Sequence, residues 1–566
     1  MDFKSFDRAR RNAAPLELDL IESFAQGKVS RRAFIKRGTI IGLSAPLMAT
    51  IISACSSDAK TATTTAAGAT TTVGGATTTV APKVAAGGTI KIAIQTPAGP
   101  LDPIKMADLG SYGIVAQSFE FLATLGDDGD IAPGLAESWK PNADGSVWTF
   151  KIRKGVKWQK GGELTVDDIA ATMDRLVDAK NAGLNKVIGK GAVKAIDPLT
   201  AEFTLLSPNG NFPYLVSVFN AQSLITPKGY VAGTTLDKEP NGTGPFKLVK
   251  YDAATGATFT RNDDWWGGKT PLDGTQFIFS EKVATQVAGM AGNEVDAIVQ
   301  FSSDGGEVLL NDPNFNLVAA RTSSHRQIWM NTREGQFVDK RVRQALALSL
   351  DRDQYVQTLF KGKADVGNDH PVAPLYPFYD DSVPQRKKDI AKAKQLLVDA
   401  GGPKIKATLH CGELQEIPKL AALVQTNLKE IGFDITLNVE SQKTFYDEWC
   451  KTYDPICDGG QELGIVDYGH RSVPDVYLNA AYATGTWNSA HYKSEPFNAA
   501  FAEYQKALDV AGHKAACKKL ETIANEDVPY AIPYFYTLLS GHSKKFTGLR
   551  WSALGQLFLD KAATTA

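Results

Sequence analysis

The chain has 566 residues, with 61 Lys or Arg, 62 Asp or Glu and a formal net charge of −1. This balance offers no concentrated basic surface, so we expect no nucleic-acid partner. Single hydrophobic cores rarely grow beyond ~250–300 residues, and the length therefore predicts more than one domain.

Residues 1–54 are predicted to be an export signal and are excluded from the fold prediction. Arg31 and Arg32, within Ser30–Lys36, form a twin-arginine pattern. A weakly apolar stretch follows and ends in the tetrad 52–55, which resembles a bacterial lipobox with Cys55 as the lipidated residue. The two motifs in this order predict an extracytoplasmic lipoprotein, periplasmic or at the cell surface, anchored to the bacterial cytoplasmic membrane.

An ordinary transmembrane helix is the alternative anchor. The stretch Thr39–Ala54 is shorter than the ~20 apolar residues that cross a bilayer, and it contains Gly42, Pro46 and Ser53. No later segment is apolar enough to span a membrane. A lipid on Cys55 is therefore the favoured anchor, and stable binding through lipid needs more than one acyl chain.

Residues 55–87 are predicted to be a disordered tether. The segment consists largely of Thr, Ala and Gly, a composition that cannot bury a hydrophobic core. Such a tether would hold the folded body away from the membrane. Its threonines are possible glycosylation sites, which composition alone does not decide.

The folded body is predicted to begin near Gly88. Polar and apolar residues alternate over Thr89–Ile94 and over Val147–Ile152, as they do in half-buried strands. The second strand follows a turn at 144–145. Thr165 is predicted to cap a helix whose acidic first turn suits the helix dipole.

In the second half, helical and strand patterns alternate with short links. This alternation predicts α/β lobes with helices on the faces of a sheet. The predicted helices are Asp389–Ala400, ended by Gly401 and Gly402, together with Asp339–Leu350, Pro418–Ile431 and Phe497–Asn525, and the predicted strands are Ile405–His410, Phe433–Val439 and the proline-broken run Val528–Tyr536.

Several short motifs in a fixed order resemble the solute-binding protein family 5, the receptors of peptide-, nickel- and oligosaccharide-type ABC importers. The resemblance covers essentially all of residues 88–560. The motifs are Ala132–Trp139, Asp144–Trp158, Thr165–Ile169, Gly242–Phe246, Arg261–Asn262 with Trp265–Trp266, Val342–Leu346 with Asp351–Arg352, Asp527–Pro529 and Ile532–Tyr534.

The resemblance implies a two-lobed periplasmic-binding-protein type II fold of α/β class with the ligand cleft between the lobes. It places the first lobe at 88–325 plus a return segment 541–566, and the second lobe at 326–540. An extra subdomain would span about 120–235 of the first lobe. Trp265 and Trp266 match a framework motif of the family and are interpreted as structural.

The implied function is that of a receptor, not an enzyme, which captures a peptide by lobe closure. It would deliver the peptide to a membrane permease driven by a cytoplasmic ATPase. We expect a monomer without cofactor or metal. The alternatives are an oligosaccharide or another polar organic solute as ligand and, more distantly, a secreted hydrolase. The enzyme motifs G-x-S-x-G, Walker A and H-E-x-x-H are absent from the sequence.

The resemblance also implies ligand-binding residues. Asp467 lies where peptide-binding members carry the aspartate that pairs with the ligand's ammonium group; the alternative is a carboxylate that caps a loop. Relatives often carry Trp where Gly464 stands, and the loop 469–475 is longer than usual, so a pocket of altered size or polarity is expected. Tyr468, Trp487 and Trp449 are candidate cleft walls or core residues, and Leu101 and Asp102 lie in a loop that could offer backbone hydrogen bonds.

Four cysteines remain if Cys55 carries lipid, and an even number in an exported protein suggests disulfides. The simplest pairing joins Cys450 with Cys457 and Cys411 with Cys517; the alternative is buried free thiols. A metal site is disfavoured by the cysteine spacing and the scattered histidines. His470 and Asp467 are close in sequence and form the one possible acid–base pair that is worth examining.

Replacing Cys55 by alanine tests the anchor. Without the thiol no lipid can be attached, so the protein should be released into the medium while export continues. Fractionation of cells followed by immunodetection measures the distribution. Retention of the variant at the membrane would contradict lipidation.

Overall fold

A computed structural model of the chain describes residues 84–565 except 107, 128, 182, 232, 304, 442–443, 447–460 and 484–486. The predictions for Arg31, Arg32, Cys55, Trp449, Cys450 and Cys457 therefore lie outside the described residues. Within the described part, no helix combines the length and apolar content that a membrane span requires.

The strands follow one another along the described chain as β1 (Val84–Ala85), β2 (Thr89–Ile94), β3 (Ala123–Leu125), β4 (Ile131–Pro133), β5 (Ala136–Pro141), β6 (Val147–Ile152), β7 (Ile188–Asp197), β8 (Thr200–Leu205), β9 (Phe246–Asp252), β10 (Gly256–Arg261), β11 (Gly274–Phe279), β12 (Ala297–Phe301), β13 (Phe315–Ala320), β14 (His325–Met330), β15 (Ala364–Val366), β16 (Lys406–Gly412), β17 (Asp434–Glu440), β18 (Leu463–Tyr468), β19 (Tyr530–Ala531), β20 (Tyr534–Tyr536), β21 (Leu538–Ser543), β22 (Phe546–Thr547), β23 (Arg550–Trp551), β24 (Leu557–Phe558) and β25 (Ala563–Thr565).

The α-helices are α1 (Leu109–Val115), α2 (Val166–Asp178), α3 (Phe212–Leu215), α4 (Val283–Ala291), α5 (Glu307–Leu310), α6 (Lys340–Ser349), α7 (Arg352–Phe360), α8 (Ile390–Asp399), α9 (Ile417–Glu430), α10 (Asp475–Tyr477), α11 (Glu495–Lys506) and α12 (Val510–Asp527). Short 3₁₀ turns lie at Ala221–Ser223 and Gly335–Phe337, and a π-helical turn at Leu478–Ala483.

The first large sheet has the strand order β13-β21-β12-β2-β11-β10-β9. β2 lies inside it and pairs in parallel with both β11 and β12. Its isoleucines, Ile90, Ile92 and Ile94, have no exposed surface and share one face, while Ala93 is buried on the other. The alternation seen in the sequence therefore belongs to a strand with a core on each side.

The second large sheet has the order β15-β20-β14-β18-β16-β17, with β19 also paired to β14. β14 and β18 are antiparallel, and His325 lies opposite Tyr468. Ile328 and Met330 face the core formed with the helices α6, α7 and α9, whereas Trp329 faces the opposite core. The side chains of β14 are buried along its whole length.

The chain passes between the large sheets through short segments. Residues 321–324 lead from β13 to β14, and Thr537 leads from β20 back to β21. The strand that returns to the first sheet thus begins at Leu538, before the predicted return segment 541–566. These crossing segments join the two halves of the molecule.

A smaller antiparallel sheet, β5-β6-β8-β7, lies within the span predicted for the subdomain. The rings of Phe150 and Phe203 are 5.0 Å apart, and those of Phe203 and Phe212 are 5.2 Å apart. Such aromatic pairs contribute beyond their buried area. α2 begins at the predicted cap Thr165, whose backbone N–H donates to Asp168 at 2.8 Å.

Most predicted elements are confirmed to within a residue or two. The run Val528–Tyr536, predicted as one strand, is the two short strands β19 and β20, and two further elements differ. The helix predicted over Phe497–Asn525 is two helices, because Ala507 adopts an extended conformation and Asp509 caps α12 by accepting from the Gly512 N–H at 2.6 Å. The predicted tether also reaches into the folded body, since Val84 and Ala85 pair with Thr565 and Thr564.

The predicted Cys411–Cys517 disulfide is wrong. Both residues are buried free thiols, and they lie in different hydrophobic cores: Cys411 on β16 of the second sheet, and Cys517 on α12. Burial raises the pKa of Cys411 to about 11 and that of Cys517 further, so both stay protonated at neutral pH. They pack as small apolar side chains.

A buried charge cluster supports the second lobe and can be tested. Asp369 has no exposed surface and accepts from Arg352 at 2.6 Å and from Arg386 at 2.7 Å. Asp369→Asn would leave two guanidinium groups without their anion, and we expect a loss of about 3–5 kcal/mol in the free energy of unfolding.

Urea denaturation of the variant measures this loss. Asp434→Asn makes the same chemical change at an exposed ion pair, where little effect is expected. Equal stability of the two variants would show that the buried cluster is not a stabilising element.

Candidate ligand-binding site

A cavity of about 160 Å³ lies between the two halves of the molecule. Its walls come from α1, the region after α2, the segment around α3, the loop after β18 and the C-terminal region. The described residues that line it are Tyr112, Asn181, Gly183, Tyr214, Leu215, Phe219, Asn220, Ala221, Gln222, Arg471, Ser472, Val473, Val476, Trp487 and Leu554.

The first-lobe wall carries a group of three side-chain amides. Asn181 donates to Gln222 at 2.5 Å and accepts from Asn220 at 3.1 Å. Gln222 in turn donates to the backbone oxygen of Met106. These side-chain amides hold one another in place, and amide groups of this kind can hydrogen-bond either a donor or an acceptor of a ligand.

One of the predicted aromatic residues forms part of the second-lobe wall. Trp487 lines the cavity, and its ring centroid lies 5.9 Å from that of Tyr468. Tyr468 is buried behind it, donates to the Trp487 carbonyl oxygen at 3.3 Å and stacks on His325 at 5.4 Å. Trp487 is thus placed as a cavity wall and Tyr468 as the support beneath it.

Arg471, which was not among the residues predicted from the sequence, also lines the cavity. The crossing-segment residue Ser323 holds its backbone: the Ser323 hydroxyl accepts from the Arg471 N–H at 2.9 Å and donates to the Arg471 carbonyl at 2.7 Å. Tyr376 donates to the same carbonyl at 2.5 Å. The unusual length of the loop 469–475 was the only signal in the sequence that pointed here.

Asp467 does not line the cavity. It lies on β18 opposite Arg326, and its carboxylate accepts from the Tyr446 hydroxyl at 2.5 Å. Because neighbouring residues on a strand point to opposite faces, Asp467 and the cavity-side Tyr468 diverge. Its pairing with a ligand ammonium group stays a prediction.

Leu101 and Asp102, which were predicted to contact the ligand, do not line the cavity. Leu101 is buried in the core, and its carbonyl accepts from the Leu236 N–H at 2.9 Å. The Asp102 carboxylate accepts from the Ile104 N–H at 2.9 Å and so closes a turn. The structure gives both residues a role in holding the loop.

The histidine noted in the sequence pairs with a serine. The His470 Nδ1 accepts from the Ser323 N–H at 3.0 Å and lies 3.0 Å from its hydroxyl. Burial lowers the pKa of His470 to about 3. Both residues are buried and neither lines the cavity, while the Ser323 hydroxyl is engaged with Arg471, so this pair supports a loop and is not placed to attack a ligand.

A second cavity of about 280 Å³ lies within the first lobe beside the framework residues Trp265 and Trp266. The indole N–H groups of both residues donate to Glu120, at 3.1 Å and 2.9 Å. Burial raises the pKa of this carboxyl to about 7. The walls of this second cavity come from one lobe alone, so we take the cavity between the lobes as the candidate site.

Next to the candidate site, Asp475 connects the subdomain to the second lobe. Its carboxylate accepts from Asn211 at 3.1 Å and from the Tyr504 hydroxyl at 3.0 Å, with Asn209 at 3.4 Å. Burial raises its pKa to about 6. This contact fixes the relative position of two walls of the cavity.

The comparisons with known proteins agree with this geometry. Residues 130–488 match the family described as bacterial extracellular solute-binding proteins, family 5 Middle. Di/tripeptide-binding protein 2 of Pseudomonas aeruginosa is 26% identical over 468 residues, or 75% of this chain and 85% of the relative. Heme-binding protein A of Haemophilus influenzae is 25% identical over 438 residues, or 71% of this chain and 78% of the relative.

A solved structure shares the fold. The ABC transporter-associated periplasmic binding protein DppA from Helicobacter pylori, in complex with the peptide STSA, superimposes with a TM-score of 0.72 at 23% identity. The match covers 85% of this chain and 99% of that one. The chain therefore belongs to the bacterial extracellular solute-binding proteins of family 5, and the predicted family and two-lobed α/β fold are confirmed. Members of this family are substrate-binding receptors.

Asp475 gives a pH-dependent stability that can be measured. Its pKa is about 6 in the folded protein and 3.8 ordinarily, so the folded state keeps a proton that the unfolded chain releases. This contribution to stability should be full below pH ~4 and should fall by roughly 3 kcal/mol as the pH rises to ~6.

Urea denaturation of the wild type and of Asp475→Asn across pH 4–7 isolates this contribution. Histidines with lowered pKa, such as His470, act in the opposite direction but are common to both proteins. The stability difference between the two proteins should therefore change with pH. A constant difference would contradict a raised pKa at Asp475.

Proposed function

We propose that this chain is the receptor of an ABC importer, which encloses a short peptide between its lobes and delivers it to a membrane permease driven by a cytoplasmic ATPase. The observation that carries the proposal is the cavity of about 160 Å³ whose walls come from both lobes. A ligand held there contacts both halves at once, so its binding energy favours the closed arrangement.

The peptide is favoured as ligand by the cavity's chemistry and by the relatives. The walls combine an aromatic side chain with convergent amides, which suits an occupant with both apolar and hydrogen-bonding parts. The volume lies below the ~300–1,000 Å³ usual for ligand pockets, which favours a small solute. A di/tripeptide-binding protein is among the relatives. Another small polar organic solute is the alternative.

The export and anchoring signals complete the proposal. The twin arginines Arg31 and Arg32 would direct export, and a lipid on Cys55 would keep the receptor at the outer side of the cytoplasmic membrane. A receptor that is tethered there stays at a high local concentration near its permease. We propose that it acts as a monomer.

Native mass spectrometry of the protein purified from its own host tests the proposal. A bound solute should appear as added mass that is lost when the protein is unfolded. Titration with di- and tripeptides should raise the thermal midpoint as binding stabilises the folded state. If no solute is retained and no peptide shifts the midpoint, the receptor role is wrong.

Trp487→Ala should weaken peptide binding at least tenfold, because a half-buried aromatic wall that a ligand covers is typical of positions that dominate binding energy. Isothermal titration calorimetry measures the affinity. Tyr379→Ala removes a partly buried aromatic residue of the same lobe that does not line the cavity, and it should bind as the wild type does. Equal affinities in all three proteins would remove Trp487 from the site.

A further inference from the structure

The charge of the cavity differs from what an ammonium-binding site requires. Arg471 is the one charged side chain among the described residues that line it. The remaining polar groups of the lining are amides and hydroxyls, which are neutral. A buried ammonium group needs a fixed anion beside it, and the described walls offer none.

Arg471 is held in place but keeps free bonding capacity. Its backbone is fixed by Ser323 and Tyr376, and its guanidinium donates to the His470 carbonyl at 2.8 Å. It forms no ion pair with the described residues. A guanidinium has five N–H donors in a planar fork that matches a carboxylate. Most of these donors therefore remain for a ligand.

The surroundings of Arg471 increase its preference for an anion. His470 is buried and stays neutral, since its pKa is lowered to about 3 by burial and by Arg471. Tyr112 lines the cavity from the first lobe. Burial raises the pKa of its hydroxyl, while the charge of Arg471 lowers it. A cation that is partly removed from water without a counter-ion is costly, and a carboxylate that enters the cavity relieves this cost through charge-assisted hydrogen bonds.

We propose that Arg471 is the specificity-determining residue of the cavity and that it binds a carboxylate of the solute. The substrate class is then a small carboxylate with an apolar or planar portion for Trp487 and hydrogen-bonding groups for the amides around Asn181. For a peptide, the C-terminal carboxylate is recognised and the N-terminal ammonium is dispensable. This inference rests on the proposed receptor function.

The ligand side of the test uses a matched set of dipeptides on the wild-type protein. Ala-Phe and N-acetyl-Ala-Phe keep the carboxylate, whereas Ala-Phe amide keeps only the ammonium. By calorimetry the first two should bind with similar affinity, and the amide should bind about 10- to 100-fold more weakly. An amide that binds as well as the acid, or a strict need for the free ammonium, would overturn the proposal.

The protein side uses Arg471→Gln and Arg471→Lys. The first should lose about 10- to 100-fold in affinity for Ala-Phe and should no longer distinguish acid from amide. The second keeps the charge but not the planar fork and should lose less. Arg333→Gln, the same change at an exposed position of the second lobe, should leave binding unchanged. Unaltered affinity in Arg471→Gln would overturn the assignment.

The outcome also separates this inference from the receptor function. If the dipeptides do not bind, the solute released from the host-purified protein decides: a carboxylate supports the role of Arg471, and a purely cationic or neutral solute overturns it while the receptor function stands. If the protein neither retains nor binds any solute, the receptor function fails and this inference with it.

Discussion

The hydrogen bonds of Ser323 determine the position of the cavity wall. Its hydroxyl contacts both the N–H and the carbonyl of Arg471, and its own N–H donates to His470. Ser323 has no exposed surface. Loss of its hydroxyl would leave the Arg471 N–H unpaired at about 1–3 kcal/mol, while the Arg471 carbonyl keeps its bond from Tyr376. Ser323 lies in a segment that joins the two large sheets. The loop 469–475 is therefore attached directly to the region about which the lobes would bend.

The buried and half-buried charges of the second lobe fall into two groups. Inside the second lobe two buried arrangements pair opposite charges: Arg326 contacts Glu416 at 2.9 Å, and Asp369 neutralises Arg352 and Arg386. Where the lobes meet, Asp475 is bonded to neutral amides and a hydroxyl, and Arg471 has no anion among the described residues. The paired charges serve the fold, whereas the uncompensated cation is available for recognition.

Much of the fold could be predicted from the sequence, but only a small part of the site could. Thr89–Ile94 and Val147–Ile152 are strands with the predicted bounds, because alternation and turn residues are local signals. The break between α11 and α12 depends on one extended residue, Ala507, which has no strong intrinsic signal. The Cys411–Cys517 pairing was wrong because pairing depends on distance in the fold and not on count.

Prediction from the sequence reaches the same limit for the residues of the cavity. Trp487 was found because an aromatic residue near the motif is a simple signal, although Tyr468 proved to support it from behind. Arg471 was missed because its neighbours in space, Tyr112 and Asn181, are far from it in sequence. Only the tertiary arrangement shows that, among the described lining residues, the charged side chain is an arginine.

The pairing of Val84 and Ala85 with Thr565 and Thr564 has a mechanical consequence. The chain that leads from the proposed lipid on Cys55 enters the molecule at β1, whose partner β25 is continuous with the C-terminal part of the first lobe. In the proposed lipoprotein, a force from the membrane would therefore reach the described body first at this two-residue ladder and act on the first lobe. In that arrangement the second lobe would open and close relative to the first without moving the point of attachment.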